Sequence, residues 1–164
     1  MRNPQCGKQN CGCKGRFANR PANEAISEFK EKIDSGAANF VLTRCGHIVY
    51  ESALNGINAA LEAFETCGEM FAGASAFDKI VGKAAAFIFI LGGAKYVHGK
   101  VMSRPAYRLL TQSGVAAEYG ILTDTIKNRS GNGMCPIEYS VKDAAEPEKG
   151  IEAIKKTLAR LKND

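Results

Sequence analysis

The run AAAFIFILGGA at residues 84–94 constrains the fold of this chain more than any other stretch. Its residues are all apolar or glycine, so a helix built from them has no polar face and must be buried. The run is bounded by Lys83 and Lys95, and it is too short to span a bilayer. Because the preceding residues are more polar, we predict one helix over residues 75–93, with polar first turns and buried later turns.

The elements around this run alternate between helix and strand. An amphipathic pattern predicts a helix from Asn23 to Gly36, and β-rich runs around Arg44–His47 predict a hairpin. Helices are further predicted at 57–71, 104–114, 136–143 and 146–164, strands at 95–103 and 115–120, and a turn or short helix at 121–127. This order predicts an α/β protein: a three-layer α/β/α sandwich with a mixed sheet.

The charge distribution separates a tail from a domain. Five of the 22 basic residues and none of the 17 acidic ones precede Glu24, so the net charge of +5 belongs to the first residues. We therefore expect a basic tail at 1–22 and a folded domain at 23–164. A neutral domain has no electrostatic footprint for duplex nucleic acid. Since the first residues contain no apolar leader, we expect a cytoplasmic protein that does not associate with membranes.

Three motifs resemble a known family. They are GASAFDKIVGKAAA (73–86), KVMSRPA (100–106) and NRSGNGMCPIE (128–138). They are similar to an uncharacterised prokaryotic (Thermotoga-type) domain-of-unknown-function family. The resemblance implies a cytidine deaminase-like fold, in which a β-hairpin precedes two helix–strand units, and it covers roughly residues 24–162.

The zinc motifs of true deaminases are missing. Those enzymes place His or Cys two residues before a catalytic Glu at one helix start, and Pro-Cys-x-x-Cys at the next. In this chain we assign Ala76–Lys79 and Ser103–Ala106 to the two helix starts, and neither contains a zinc ligand. We therefore expect no zinc at the deaminase position.

Charged residues at the first predicted helix start are the first candidates for a site. Lys79 and Lys83 would share a helix face at i,i+4 spacing, with Asp78 beside them. The alternative is that these residues are the solvated end of a core helix, where the dipole favours Asp78. Ser103 and Arg104, before the next helix, either bind a substrate oxygen or form an ordinary N-cap, and the N-cap is favoured.

The loop before Pro136 is the second candidate. Its glycines and asparagines could expose consecutive N–H groups to an anion, and Cys135 stands where the loop meets a helix start. We assign ligand binding to Asn128, Arg129, Gly131 and Gly133 and a catalytic role to Cys135, with Lys79 or Lys83 lowering the pKa of its thiol and Asp78 carrying protons. The alternative is that Cys135 is only a small buried residue.

The tail carries a third candidate. Cys6, Cys11 and Cys13 are three thiols within eight residues, which could hold zinc or an iron–sulfur cluster if a fourth ligand came from elsewhere. The alternative is a disordered tail with incidental cysteines.

Three functions remain open at the level of sequence. The first is a zinc-less pocket for a small anionic or nucleotide-like ligand with Cys-dependent hydrolase or transferase chemistry. The second is the same pocket without turnover, and the third is a metal or redox sensor that uses the tail cysteines. We expect a small-molecule partner, no duplex nucleic acid, and a homo-oligomer as an open alternative.

Overall fold

The computed structural model of this protein describes residues 23–164, and the side chains from Ile26 onward. The tail cysteines Cys6, Cys11 and Cys13 therefore lie outside the described residues. The elements, in chain order, are α1 (Asn23–Asp34), β1 (Phe40–Arg44), β2 (His47–Ser52), α2 (Ile57–Cys67), a short 3-10 helix (Gly68–Phe71), β3 (Ser75–Val81), α3 (Lys83–Gly92), β4 (Tyr96–Ser103), α4 (Arg104–Gln112), β5 (Ala116–Thr123), α5 (Pro136–Val141) and α6 (Pro147–Asn163).

The strands form one mixed sheet in the order β2-β1-β3-β4-β5. The β1–β2 hairpin is antiparallel, β1 pairs antiparallel with β3, and β3, β4 and β5 are parallel. Cys45 and Gly46 form the turn of the hairpin with positive φ, which costs Gly46 nothing but is unusual for Cys45 because that residue has a Cβ. The predicted hairpin is confirmed.

Helices cover both faces of the sheet. On one face, α1 packs Phe29 and Ile33 against Phe77 of β3 and Tyr96 of β4. On the other face, α2, α3 and α4 join the larger apolar cluster, and α5 and α6 pack against α3. The predicted three-layer α/β/α sandwich with a mixed sheet is confirmed. No helix within residues 23–164 has the length and apolar character needed to cross a membrane.

Residues 75–93 do not form the single helix that we predict from sequence. Ser75–Val81 is the central strand β3, and only Lys83–Gly92 is helical. The apolar run does form a buried helix, since Ala84 through Phe89 are all buried. The error arises because a strand paired on both sides and covered on both faces shows no polar–apolar alternation. Here only Gly82 separates that strand from α3, whose residues after Lys83 are all apolar or glycine.

Two further expectations need correction. Three helix–strand units follow the hairpin (α2–β3, α3–β4 and α4–β5) rather than two. Strand β5 continues to Thr123, through residues where we predict a turn or short helix, because it pairs with β4 as far as Ser103. The extra strand, β3, places its carboxyl end beside those of β4 and β5.

Candidate functional site

A cavity of about 960 Å³ opens at the carboxyl end of β3. It is lined by residues of the carboxyl half of β3, the start of α3, the start of α5 and the end of α6. The loops that flank the hairpin contribute Asn39 and residues 55–58, and the loop after β5 contributes residues 126–130. Parallel strands commonly present ligand sites at this edge of an α/β sheet.

Asp78 is the buried polar group of this cavity. Its side chain is only 5% exposed, and its Oδ1 accepts a hydrogen bond from the N–H of Ile80 at 3.2 Å. Burial raises the pKa of this carboxyl from 3.8 to about 8, against the lowering effect of hydrogen bonds from the backbone of Ile80 and Lys79. At neutral pH Asp78 is therefore mostly protonated.

Asp78 lies at the point where β1 stops pairing with β3. It is opposite Phe40, the first residue of β1, and the following residue Lys79 donates its N–H to the carbonyl of Asn39. Asn39 in turn donates its side-chain N–H to the carbonyl of Ala53 and to Oδ1 of Asn55. The result is an amide-rich wall next to the buried carboxyl.

Cys135 lines the same cavity, although more than fifty residues separate it from Asp78. It is a free, half-buried cysteine just before Pro136, the first residue of α5. Its N–H donates to the carbonyl of Ile126, which closes the base of the intervening loop. Asp78, Lys79, Asn128, Arg129 and Cys135 therefore meet at one cavity.

Lys83 does not join them as we predict. Its Nζ donates to the carbonyl of Lys142 at 2.8 Å and lies 5.5 Å from the centre of the Phe87 ring. Because Lys79 is on β3 and Lys83 begins α3, the two lysines do not share a helix face, and that expectation is wrong. Lys83 is consequently not the charge beside the Cys135 thiol.

Ser103 and Arg104 have other partners. Ser103 is buried, and its Oγ accepts the N–H of Ala106, so the N-cap that the sequence favours is confirmed. Arg104 donates Nε to Asp124 at 2.8 Å. These two residues are not among those that line the cavity.

The loop around Gly131 is closed on itself. The N–H of Asn128 donates to the carbonyl of Gly133, that of Gly131 to the carbonyl of Asn128, and that of Asn132 to Oδ1 of Asn128. These three N–H groups are therefore occupied, and the expectation that consecutive N–H groups are exposed to an anion is wrong for them. Gly131 and Gly133 shape the loop, while Asn128 and Arg129 line the cavity.

Glu138 is the residue of the site that our sequence reasoning missed. Its carboxylate accepts the N–H of Lys83 at 2.8 Å and the N–H of Ala84 at 2.9 Å, so it caps α3 from another helix. Gly82 permits this approach, because a Cβ there would collide with the Glu138 carboxyl. Burial raises the pKa of Glu138, and the two hydrogen bonds oppose that effect. The signal available in the sequence was only the acidic residue in the first turn after Pro136.

The residues at the deaminase zinc position do not fit a metal. The true start of α3 is Gly82-Lys83-Ala84-Ala85 and that of α4 is Ser103-Arg104-Pro105-Ala106, and neither offers a His, Cys or Glu. Across residues 23–164, no three His, Cys, Asp or Glu side chains are grouped as a metal site. The N–H groups at the start of α3 are bonded to Glu138 instead.

His98 belongs to the core and not to the cavity. It is 7% exposed on β4, packs against Phe77, and has its pKa lowered to about 4 by burial and by the charge of Lys30. The imidazole is therefore neutral at physiological pH.

Comparison with known proteins identifies the same family that the three sequence motifs resemble. The DUF1893 family protein TM1506 of Thermotoga maritima has a solved structure that superposes with a TM-score of 0.76 at 24% identity, covering 89% of this chain and 96% of that one, and so shares the fold. RibD of Acinetobacter baumannii gives a TM-score of 0.46 at 15% identity over 60% of this chain and 35% of that chain, a likeness too weak to carry an argument. No curated protein matches this sequence. The model of the DUF1893 domain of unknown function matches residues 28–158, and this chain therefore belongs to the DUF1893 family.

Proposed function

We propose that this protein binds a small anionic, nucleotide-like ligand in the cavity at the carboxyl end of β3, without zinc. The observation that carries the proposal is the charge of the lining. Four exposed basic residues line the cavity, and within residues 23–164 none of them takes part in an ion pair: Lys79, Lys127, Arg129 and Lys162.

The acidic groups of the cavity do not neutralise these cations. Asp78 is mostly protonated at neutral pH, and the Glu138 carboxylate is bonded to the start of α3. The cavity therefore has a net positive lining with an amide-rich wall, which suits a phosphate or carboxylate attached to a polar body.

Binding is the activity that this arrangement supports best. A catalytic Cys135 needs a neighbouring cation or base to generate its thiolate. Of the two lysines predicted for that task, Lys83 is bonded elsewhere, and Lys79 lines the cavity. In this proposal Cys135 lines the cavity without reacting. The second candidate function is Cys-dependent hydrolase or transferase chemistry, which the position of Cys135 beside the basic loop supports. The sensor that uses Cys6, Cys11 and Cys13 remains a prediction from sequence.

Calorimetric titration with adenosine monophosphate and with ethyl phosphate tests the proposal. We expect both to bind, and we expect the triple variant Lys127→Ala, Arg129→Ala, Lys162→Ala to bind them at least tenfold more weakly, a change of about 1.4 kcal/mol. The affinity of the unmodified protein should fall as salt is added, since exposed charges are screened.

Two controls sharpen this experiment. Arg108→Ala removes an exposed cation of α4 that does not line the cavity, and it should leave binding unchanged. Bound adenosine monophosphate should also slow the alkylation of Cys135 by iodoacetamide. If neither compound binds, or if Arg108→Ala weakens binding as much as the triple variant, the proposal is wrong.

A further inference from the structure

The carboxyl of Asp78 has no charged counterpart among the residues that the structure describes. No side chain of those residues hydrogen-bonds to it, and its donors are the backbone N–H groups of Ile80 and Lys79. Buried carboxyl groups in proteins are ordinarily matched by a cation or by several donors, because removal from water is costly. A carboxyl that is 5% exposed on the wall of a cavity and has no charged partner there can be matched by a cationic group of a ligand.

The acidic and basic residues of the cavity differ in their burial. The Asp78 carboxyl is in the buried part of the wall, whereas Lys79, Lys127, Arg129 and Lys162 are exposed. The only other lining carboxylate, among the described residues, is that of Glu138, and it is bonded to the start of α3. A single acidic group therefore lies inside an otherwise basic site.

We propose that the ligand is dipolar: a protonated amine, guanidine or amidine nitrogen contacts the Asp78 carboxyl, and an anionic group of the same molecule meets the basic side chains. The inference rests on the proposed function for the anionic half of the ligand. Asp78 is then the specificity-determining residue, because it separates dipolar ligands from simple anions of the same size.

Binding is coupled to a proton. With a pKa of about 8, the empty site holds the Asp78 proton at pH 7. A cationic nitrogen donating N–H bonds to the carboxyl favours the ionised form, so the O–H bond of Asp78 breaks and the proton passes to the buffer. The other titratable groups that line the cavity with Asp78 are Lys79, Lys127, Arg129, Cys135, Glu138 and Lys162.

Two matched series of compounds test the inference: ω-aminoalkyl phosphates and the corresponding alkyl phosphates, from ethyl to hexyl. At one chain length or more, we expect the amino compound to bind at least tenfold more tightly than the alkyl phosphate. In Asp78→Asn that preference should shrink to within twofold, while the alkyl phosphate keeps its affinity. Asp143→Asn removes an exposed carboxylate outside the cavity and should keep the preference.

Proton release provides a readout that a purely structural role of Asp78 would not change. Titrations in buffers of different ionisation enthalpy should show nearly one proton released per amino compound at pH 7, and almost none in Asp78→Asn. If alkyl phosphates bind and the amino group adds nothing at any length, or if the preference survives in Asp78→Asn, the dipolar inference is wrong and the anion site stands. If neither series binds, the proposed function and the inference both fail.

Discussion

At the scale of single residues, the cavity contains a carboxyl group at position 78 that is costly to bury. A protonated carboxyl is held where an apolar residue or an amide would be easier to bury, between Phe77 and the exposed Lys79 on the central strand. Such a residue lowers the stability of the fold at neutral pH, and sites that trade stability for function are common in proteins. Asp78 is the clearest example in the described part of this chain.

Asp78→Asn should therefore stabilise the protein at neutral pH. Because the folded pKa of Asp78, about 8, lies above its unfolded value of 3.8, the stability that this group contributes is complete below about pH 4 and is lost as the pH rises towards 8. The loss approaches about 1.4 kcal/mol per pH unit at most. Asparagine keeps an acceptor for the Ile80 N–H but does not titrate.

Urea unfolding of both proteins at several pH values between 4 and 8 measures this difference. We expect the stability of Asp78→Asn relative to the unmodified protein to rise by up to about 4 kcal/mol between pH 4 and pH 7. Parallel stability curves for the two proteins would show that Asp78 is not held protonated by burial.

At the scale of elements, the start of α3 is stabilised by a different helix. The carboxylate of Glu138 on α5 replaces the local cap that α3 lacks, since Gly82 has no side chain to cap it. This contact ties the cavity wall formed by α5 to the central helix. Gly82 and Glu138 thus form one structural unit, because the carboxylate occupies the space that a side chain at position 82 would fill.

A double-mutant cycle tests that unit. Glu138→Ala removes two hydrogen bonds to a charged acceptor and should cost about 1–3 kcal/mol. Gly82→Ala should cost a comparable amount alone, because its Cβ displaces the carboxyl, but much less in the Glu138→Ala background, with a coupling energy of at least about 1 kcal/mol. Chemical denaturation of the four proteins gives the cycle.

Gly68→Ala is the matched control. Gly68 has helical dihedral angles (φ −52°), and a Cβ there would meet open space, so this substitution should be neutral or slightly stabilising. Additive costs for Gly82→Ala and Glu138→Ala would show that the two residues do not act together.

At the scale of the whole molecule, the sheet is stable at its centre and open at its edges. Strands β3 and β4 bond to neighbours on both sides and are covered by helices on both faces, whereas β2 is an edge strand with an exposed first half. The cavity lies at the carboxyl end of β3, so its buried carboxyl and Lys79 are on the central strand, while Lys127 and Arg129 are on a loop and Lys162 is at the end of α6.

Native-state hydrogen exchange should reproduce this gradient. We expect the amides of β3 and β4 to exchange only through global unfolding, and those of β2 to exchange by local opening at least tenfold faster, because edge strands have fewer buried contacts. Exchange in denaturant followed by NMR distinguishes the two regimes. Equal protection of β2 and β4 would contradict this description of the sheet.

The sequence by itself determined most of the helices, the hairpin and the layered architecture. These features depend on local patterns: amphipathic spacing in α6, the Ser103-Arg104-Pro105 helix start, and the Arg44–His47 turn. The sequence also predicted that the segments around residues 78 and 135 meet at one sheet edge, although it assigned residue 78 to a helix start and the structure places it in β3.

Only the tertiary structure decided what each charged side chain of the site does. It separated β3 from α3, a boundary hidden by the lack of polar–apolar alternation in β3, and it showed that Lys83 bonds to the Lys142 carbonyl and not to Cys135. It also placed Glu138 on the start of α3, a contact across 55 positions of the chain. The physical reason is that burial and hydrogen-bond partners depend on residues distant in sequence, and these partners set both the pKa of Asp78 and the charge of the cavity.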